Sequence, residues 1–334
     1  MTLVAVTYRG VAARNELFQL TDDLPYRIEA GDGNDVILLS SSSSNTVFGD
    51  AGSDIIVTTE GTNTIFGDSA ATGVGGDDFI IAGVGVDTVF GGGGNDFVDG
   101  GASADGIDGG DGNDTIWGGT GADMILGGAG GDLLFGTGPA GAIVSRTIDV
   151  THNGATDAAL VLSVQAATQG AADDAANDII NGDAGDDTIF GQGGSDTLSG
   201  GTGNDAIAGG DGVDVIFGNE GADVLFGEAG ADLINGGAGG DIVRGGLGGD
   251  LYVFNAGDNG DLILNFNEGG VRDGFDLRGY FDATGFTGTN PRAAGVMQVL
   301  QNGTDTDVYL NGAFAFRVEG VVAAALDDTY FLFQ

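Results

Sequence analysis

From residue 78 onward the chain repeats one polar–apolar pattern with almost no variation. Aspartates stand at 78, 87, 96, 105, 114, 123 and 132, and again at 178, 187, 196, 205, 214, 223, 232, 241 and 250, nine apart within each run. Two places after each comes an apolar residue: Ile80, Val89, Val98, Ile107, Ile116, Ile125 and Leu134, then Ile180 through Tyr252. A glycine pair lies just upstream of most aspartates, as in GGTGADMIL (Gly118 to Leu126) and GGDGVDVIF (Gly209 to Phe217). Three residues centred on the apolar one predict a short strand with one side chain inward and two outward. The six glycine-rich residues before them predict a turn that needs positive φ and close backbone approach. Two strands and two turns then close a coil of 18 residues, and residues 18 apart stack. One coil cannot cover its own apolar residue, so the fold needs many copies.

Stacking has an electrostatic consequence. Aspartates repeated at the strand spacing of about 4.8 Å repel by roughly 1 kcal/mol per pair even in water, and by more when buried. The whole chain sharpens this: 50 Asp and Glu face 9 Arg and no Lys, a formal net charge of -41. A charge this negative excludes nucleic acid and anionic membrane surfaces as partners. With 41% apolar residues in regular order, the chain reads as one that becomes compact only when cations neutralise it. Carboxylate and carbonyl oxygens without Cys or a His file favour Ca2+ over Mg2+, which demands a tighter octahedron and more water. There is no Cys for disulfides or thiolate sites, and no apolar run reaches the ~20 residues of a membrane span. The start, MTLVAVTYRGVAARNELFQL, lacks the basic and apolar regions of a cleaved signal.

At these residues the chain resembles the RTX family, whose repeat is the Ca2+-binding nonapeptide GGxGxDxUx. The resemblance covers residues 31–254. It implies an all-β fold, a right-handed parallel β-roll, with roughly a dozen or more Ca2+ ions held between coils. The implied ligands are Asp54, Asp78, Asp87, Asp96, Asp105, Asp114, Asp123, Asp132, Asp178, Asp187, Asp196, Asp205, Asp214, Asp223, Asp232, Asp241 and Asp250, acting in pairs such as Asp96–Asp114 and Asp214–Asp232. Loop carbonyls would complete the sites, among them those of Gly92, Gly94, Gly110, Gly112, Gly119, Gly121, Gly201, Gly203, Gly210, Gly212, Gly237 and Gly239. It also implies type I secretion, with the chain unfolded in Ca2+-poor cytosol and folding outside the cell.

The pattern's breaks divide the chain. Residues 1–30 read as N-terminal cap strands and 31–136 as roll, degenerate over 31–75 and regular over 76–136. In the degenerate part Asn45 and Asn63 take aspartate slots, which predicts one file there unable to bind Ca2+. The stretch DSAATGVGG (68–76) widens a turn by six residues, and Gly106 weakens one strand. Residues 137–176 interrupt the repeat: AIVSRTIDV and AALVLSVQ alternate like strands around THNGAT, predicting an inserted β-hairpin. The roll resumes over 177–254. Residues 255–334 (DLILNF, FDLRGYFD, MQVLQ, DVYLNGAFAFRVEG, TYFLFQ) read as strands and turns of a C-terminal β cap and, by the resemblance, a secretion signal.

No catalytic constellation emerges. His152 is the single histidine and reads as a solvated turn residue; H-E-x-x-H and G-x-S-x-G are missing, so protease and lipase passengers are excluded and no enzyme is expected. If Met1 and Gln334 are the natural ends, no passenger accompanies the roll. The outward strand positions Phe79, Ile81, Phe97, Trp117, Leu133 and Phe135 form an apolar file on one face, read as an exposed interface. The opposite face, with Thr88, Phe90, Gly106, Asp108, Met124 and Leu126, is milder, and Phe190, Val224 and Phe226 continue the trend past the insert. The expected function is a secreted, Ca2+-dependent surface layer or filament resembling RTX-bearing S-layer proteins, a homo-oligomer or polymer with cell-surface polysaccharide as a candidate partner. The alternatives are an adhesin or a binding module accompanying a secreted enzyme. An ice-binding face is disfavoured, because Asp111, Ala129, Ala184, Asp211, Glu220 and Ala238 break any Thr file.

Overall fold

The computed structural model describes residues 6–10, 14–68, 75–137, 143–148, 151–152, 155–156, 160–165, 176–288 and 290–333, with backbone only over 143–165. The chain forms two compact units, Met1–Ile180 and Asn181–Gln334.

In the first unit the nine-residue clock produces two parallel sheets whose strands alternate along the chain. One, the Asp96 sheet, holds Leu17–Leu20, Val36–Leu39, Ile55–Thr58, Phe79–Ile81, Phe97–Ala102, Thr115–Thr120 and Leu133–Phe135. The other, the Asp87 sheet, holds Val6–Arg9, Tyr26–Glu29, Asn45–Phe48, Asn63–Phe66, Thr88–Gly93, Gly106–Asp111 and Met124–Ala129. Pairs such as Phe97↔Thr115, Val98↔Ile116 and Asp99↔Trp117 fix the 18-residue register. The inward file, including Ile37, Ile56, Ile80, Val98, Ile116 and Leu134, is fully buried between the sheets. This is the parallel β-solenoid that the spacing predicts.

Strands are longer than the three residues expected. The ladder runs on through the glycine pair, as in Gly101↔Gly119 and Ala102↔Thr120, so that each regular strand has six residues and the connecting turn three. Glycine at φ 100 (Gly101) or 111 (Gly119) bends the strand without leaving the ladder. Residues 6–30, expected as N-terminal cap strands, are strands added to the end of both sheets: Arg27 pairs with Thr46 and Ile28 with Val47 in the register of the roll.

Insertions are absorbed without disturbing the stack. The Asp54 backbone N–H donates to Asp78 Oδ1 over 24 residues in place of 18, so six residues are extra there. The Asp123 N–H donates to Asp178 Oδ1 at 2.8 Å across 55 residues, and the Ile179 N–H donates to the Asp123 carbonyl, also at 2.8 Å. The coil therefore closes as if 37 residues were not there. Within the excess, Ile143–Ile148 pairs antiparallel with Leu160–Gln165, a hairpin as expected. The side chain of His152 and most of the widened turn at 68–76 lie outside the described residues.

The expected exposed apolar face requires correction. Phe79, Ile81 and Trp117 are buried, and Phe97, Leu133 and Phe135 are half-buried. Phe79 stacks on Phe97 at 4.9 Å, and Phe97 meets Trp117 edge-on at 4.8 Å. Val36, Ile55, Phe79 and Ile81 form a second apolar cluster on the outer side of this sheet, with Leu38, Val57 and Phe97 packed against it. Exposure lies on the other face: Phe90 is 36%, Met124 51% and Ile179 54% exposed. There Phe48, Phe66 and Phe90 stack face to face at 4.8 and 4.9 Å, and the Arg27 guanidinium lies 4.4 Å above Phe48.

The second unit repeats the two-sheet plan. Thr197–Thr202, Val215–Glu220, Leu233–Ala238, Leu251–Val253, Gly274–Asp276 and Phe331–Leu332 build one sheet. Thr188–Gly193, Ala206–Asp211, Val224–Ala229, Ile242–Leu247 and Asp261–Ile263 build the other, which continues into Ala313–Val318 and the antiparallel strands Asp305–Leu310 and Met297–Asn302. Toward the C-terminal end aromatic residues replace the aliphatic file: Tyr252, Phe254, Phe266, Phe275, Phe316 and Phe331 pack together, with Phe254 on Phe316 at 4.2 Å and Phe266 on Phe275 at 4.9 Å. FDLRGYFD, expected as strand and turn, contains a helix, Arg278–Thr284, ended by Gly285 at φ 75. Phe281 is its one buried residue, and a side chain that can be buried from one turn of helix looks like half an alternation in sequence.

Candidate metal centre

The aspartates form ladders of their own. In the Asp96 sheet the N–H of Asp35 donates to Asp54 Oδ1, that of Asp78 to Asp96 Oδ1, that of Asp96 to Asp114 Oδ1 and that of Asp114 to Asp132 Oδ1, each at 2.7 Å. In the Asp87 sheet Asp87 donates to Asp105 and Asp105 to Asp123, both at 2.8 Å. The second unit carries the same links from Asp187 to Asp205 to Asp223 to Asp241 and from Asp196 to Asp214 to Asp232 to Asp250, at 2.8 to 3.0 Å. Each carboxylate is thus oriented through Oδ1 by the coil before it.

Oδ2 is left over. In Asp54, Asp78, Asp96, Asp105, Asp114, Asp205, Asp214, Asp223, Asp232 and Asp250 this oxygen is buried without a hydrogen-bond donor among the described residues. A buried carboxylate oxygen lacking a partner costs a kcal/mol or more, about 1–3 by mutational measure, so a file of them demands a cation. The pKa directions agree. Burial, the largest cause, pushes Asp96 up to about 7 against the opposing Asp78 N–H, and repulsion from Asp114 adds to it. Asp54 is pushed to about 8, Asp78 to about 10 and Asp105 to about 8, again chiefly by burial. In the second unit Asp232 rises to about 7 and Asp223 to about 6 for the same reason.

Glycines shape what faces that oxygen. A methyl group built on Gly118 would stand 2.5 Å from Asp123 Oδ2 and 2.5 Å from the Gly136 carbonyl oxygen; one on Gly191 would stand 2.5 Å from Asp196 Oδ2 and 2.7 Å from the Gly209 carbonyl. The same collision of a carboxylate and a next-coil carbonyl meets Gly91, Gly109, Gly209, Gly218 and Gly227. The carboxylate and the next-coil carbonyl approach the backbone there too closely for a side chain at these glycines. Of the expected loop carbonyls, those of Gly92, Gly94, Gly110, Gly112, Gly203 and Gly212 point at the α-carbon of the next coil's glycine. Gly119, Gly121, Gly201, Gly210, Gly237 and Gly239 share the left-handed conformation, with φ between 95 and 146. Among the described residues no three acidic or imidazole side chains converge. A cation would be held by a carboxylate from a coil together with backbone carbonyls, an all-oxygen set that suits Ca2+.

Where asparagine stands in the file, the protein supplies the missing donor. Asn45 Oδ1 accepts the Tyr26 N–H at 3.0 Å, while its Nδ2 donates to the Ser43 carbonyl and to Asn63 Oδ1, both at 2.8 Å. Asn63 Nδ2 donates to Thr58 Oγ1 at 3.2 Å and to the Glu60 carbonyl at 3.3 Å. An amide group stands in this file where the carboxylate Oδ2 stands elsewhere, the file in which the sequence expectation placed no Ca2+.

Three ladder members escape the nine-residue count. Asp35 accepts the Glu16 N–H at 2.5 Å, Asp261 accepts that of Asp241 at 3.1 Å, and Asp273 that of Asp250 at 3.0 Å. Each opens a D-x-apolar triplet (Asp35-Val-Ile37, Asp261-Leu-Ile263, Asp273-Gly-Phe275), a signal available once spacing is relaxed. Asp273 also receives the Asn267 N–H on Oδ2, so its rung, like the asparagine rungs, is satisfied from within the chain.

Comparison with known proteins gives the following. The family model of the RTX calcium-binding nonapeptide repeat matches overlapping stretches from 39 to 134 and from 173 to 260, more than half of the chain. Among solved structures the chain is similar to the AlgE6R3 subunit of the Azotobacter vinelandii mannuronan C5-epimerase, at 32% identity over 42% of this chain and 80% of that one, TM-score 0.31. The AlgE6R2 subunit of the same enzyme matches at 33% over 38% and 92%, TM-score 0.28. A hyperactive, Ca2+-dependent, β-helical antifreeze protein from an Antarctic bacterium matches at 16% over 92% and 95%, TM-score 0.29. No curated protein matches the chain.

Proposed function

Because the chain belongs to the RTX calcium-binding nonapeptide repeat family, we propose that it is an extracellular structural protein that folds on meeting Ca2+ and then self-associates into a surface layer or filament. The observation that carries the first step is the file of buried Oδ2 atoms without hydrogen-bond donors among the described residues, most of them beside a glycine of the same coil. Bound Ca2+ supplies positive charge between coils. The chain does the rest: backbone N–H groups aim the carboxylates, left-handed glycines turn carbonyls along the stack, and the inward Ile and Val file then becomes buried.

At a net charge of -41 and without Ca2+, the chain repels itself and stays extended, a state suited to export before folding. RTX repeat proteins are typically secreted, and among the described residues no helix is long and apolar enough to cross a membrane. The role is structural rather than catalytic. Self-association is supported by the exposed apolar side chains Phe90, Met124 and Ile179 on the outer side of the Asp87 sheet.

Sedimentation velocity in millimolar Ca2+ tests the reading. The native chain is expected to form species larger than a monomer as concentration rises, and Met124→Asp to shift it back toward monomer. A chain that folds with Ca2+ yet stays monomeric at every concentration removes the assembly step.

A further inference from the structure

The second unit carries a groove that the aspartate ladders do not explain. It is a cavity of about 360 Å3 on the outer side of the Ala206–Asp211, Val224–Ala229 and Ile242–Leu247 strands, bordered by Asp211, Phe226, Glu228, Arg244, Leu247 and Glu268. That volume falls in the range of small-molecule sites, about 300–1,000 Å3. Phe226 and Arg244 are side-by-side neighbours in register, Phe226 is half-buried and Leu247 is 56% exposed, so aromatic and aliphatic surface border the groove together.

The polar groups are mixed and fixed. Arg244 holds Glu268 through two bonds, Nε to Oε2 at 2.8 Å and Nη2 to Oε1 at 2.6 Å, which locks the guanidinium plane and balances its charge. The carboxylates of Asp211 and Glu228 are exposed and make no hydrogen bond among the described residues. The groove therefore offers donors and acceptors around an apolar floor, with three carboxylates against one guanidinium. A polyol ring with one apolar face matches that set: its C–H face lies on the aromatic and aliphatic surface while its hydroxyls both give and accept hydrogen bonds. The acidic excess, within a chain of net charge -41, turns away carboxylated or sulfated sugars.

We propose that this groove binds hexose units that carry no acidic groups, as part of a neutral or amino-sugar polysaccharide. The proposal goes beyond the structural role above and does not depend on self-association.

The test uses the full chain folded in saturating Ca2+, with calorimetry against cellohexaose, a glucosamine hexamer and a guluronate hexamer. One or both of the first two are expected to bind and the guluronate hexamer not to; a preference between those two identifies the natural class. Glu228→Gly is the sharpest variant. Glu228 has φ 72, and its partners in the adjacent coils are Gly210 and Gly246, so glycine suits the backbone while the carboxylate is lost. Glu228→Gly and Phe226→Ala are each expected to weaken binding tenfold or more, and Ala229→Trp to abolish it by filling the groove, with circular dichroism unchanged. The proposal is overturned if neither non-acidic hexamer binds, if only the guluronate hexamer binds, or if binding survives Ala229→Trp and Glu228→Gly. Because the readout is sugar binding by a folded chain, its failure is separate from any failure to assemble.

Discussion

Asp114 accepts the backbone N–H of Asp96 through Oδ1 at 2.7 Å while its Oδ2, buried without a donor, faces the α-carbon of Gly109. One oxygen thus belongs to the fold and the other to a ligand, and this division of labour leads to the predictions below.

Separating the two oxygens by mutation is possible. Asp114→Asn keeps an acceptor for the Asp96 N–H and places an amide donor where Oδ2 stood, as Asn45 and Asn63 do natively. It is expected to lower the Ca2+ stoichiometry measured by calorimetry while leaving stability in saturating Ca2+ within about 1 kcal/mol. Asp114→Ala removes both roles, stranding the buried Asp96 N–H, and is expected to cost about 1–3 kcal/mol in the same thermal-unfolding assay. Equal effects from both variants would contradict the division.

Glycine at the ligand-facing position is expected to be indispensable. Gly109→Ala drives a methyl into Asp114 Oδ2 and the Gly127 carbonyl, a backbone obstruction that cannot be relieved by a rotamer change. A loss of about 1–3 kcal/mol and a raised Ca2+ midpoint are predicted. Gly106→Ala is the control: nothing lies within 4 Å of its methyl, so it is predicted to be neutral or to stabilise by about 0.4–1 kcal/mol. Denaturant midpoints in Ca2+ compare the two.

Acid is expected to replace the ion in part. Burial raises the folded-state pKa of Asp54 to about 8, of Asp96 to about 7 and of Asp232 to about 7, from the ordinary carboxylate value of 3.8. A raised carboxylate pKa contributes stability that is fully present below the unfolded value and is lost as pH rises through the folded one. Without Ca2+, sheet content should therefore be gained near pH 4 and lost between about pH 6 and 8. With Ca2+ the dependence reverses, because the ligand must be deprotonated, so the Ca2+ midpoint rises as pH falls. Circular dichroism that is flat from pH 4 to 8 in chelator would exclude this linkage.

Much of this was legible in sequence because the period is set by sterics at every rung. Asp96, Val98 and Gly101 sit where they do since a carboxylate, an inward apolar side chain and a left-handed bend each recur once per strand. That the roll resumes after the insert was legible from the same triplet at Asp178, whereas its stacking on Asp123 was not. What stayed hidden depends on three-dimensional neighbours. Trp117 and Phe79 look exposed when strand alternation is the sole guide, yet both are buried, each against Phe97 of the strand between them. Asp35, Asp261 and Asp273 join ladders over 19, 20 and 23 residues, and a fixed nine-residue count passes over them. The role of Asn45 required the donor geometry, since sequence showed only that the carboxylate was gone. The groove at Phe226 and Glu268 joins strand residues to a turn 20 or more positions away, beyond the reach of any period.

The central claim is that folding of the ladders requires cations at the buried aspartate oxygens. Its most direct measurement is a Ca2+ titration of the chelator-treated chain at pH 7.5, following far-ultraviolet circular dichroism and bound Ca2+ in the same samples. The account predicts little sheet signal at the start and a cooperative gain that tracks Ca2+ uptake and reverses with EGTA. Full sheet content in exhaustive EGTA at that pH, unchanged by added Ca2+, would contradict it.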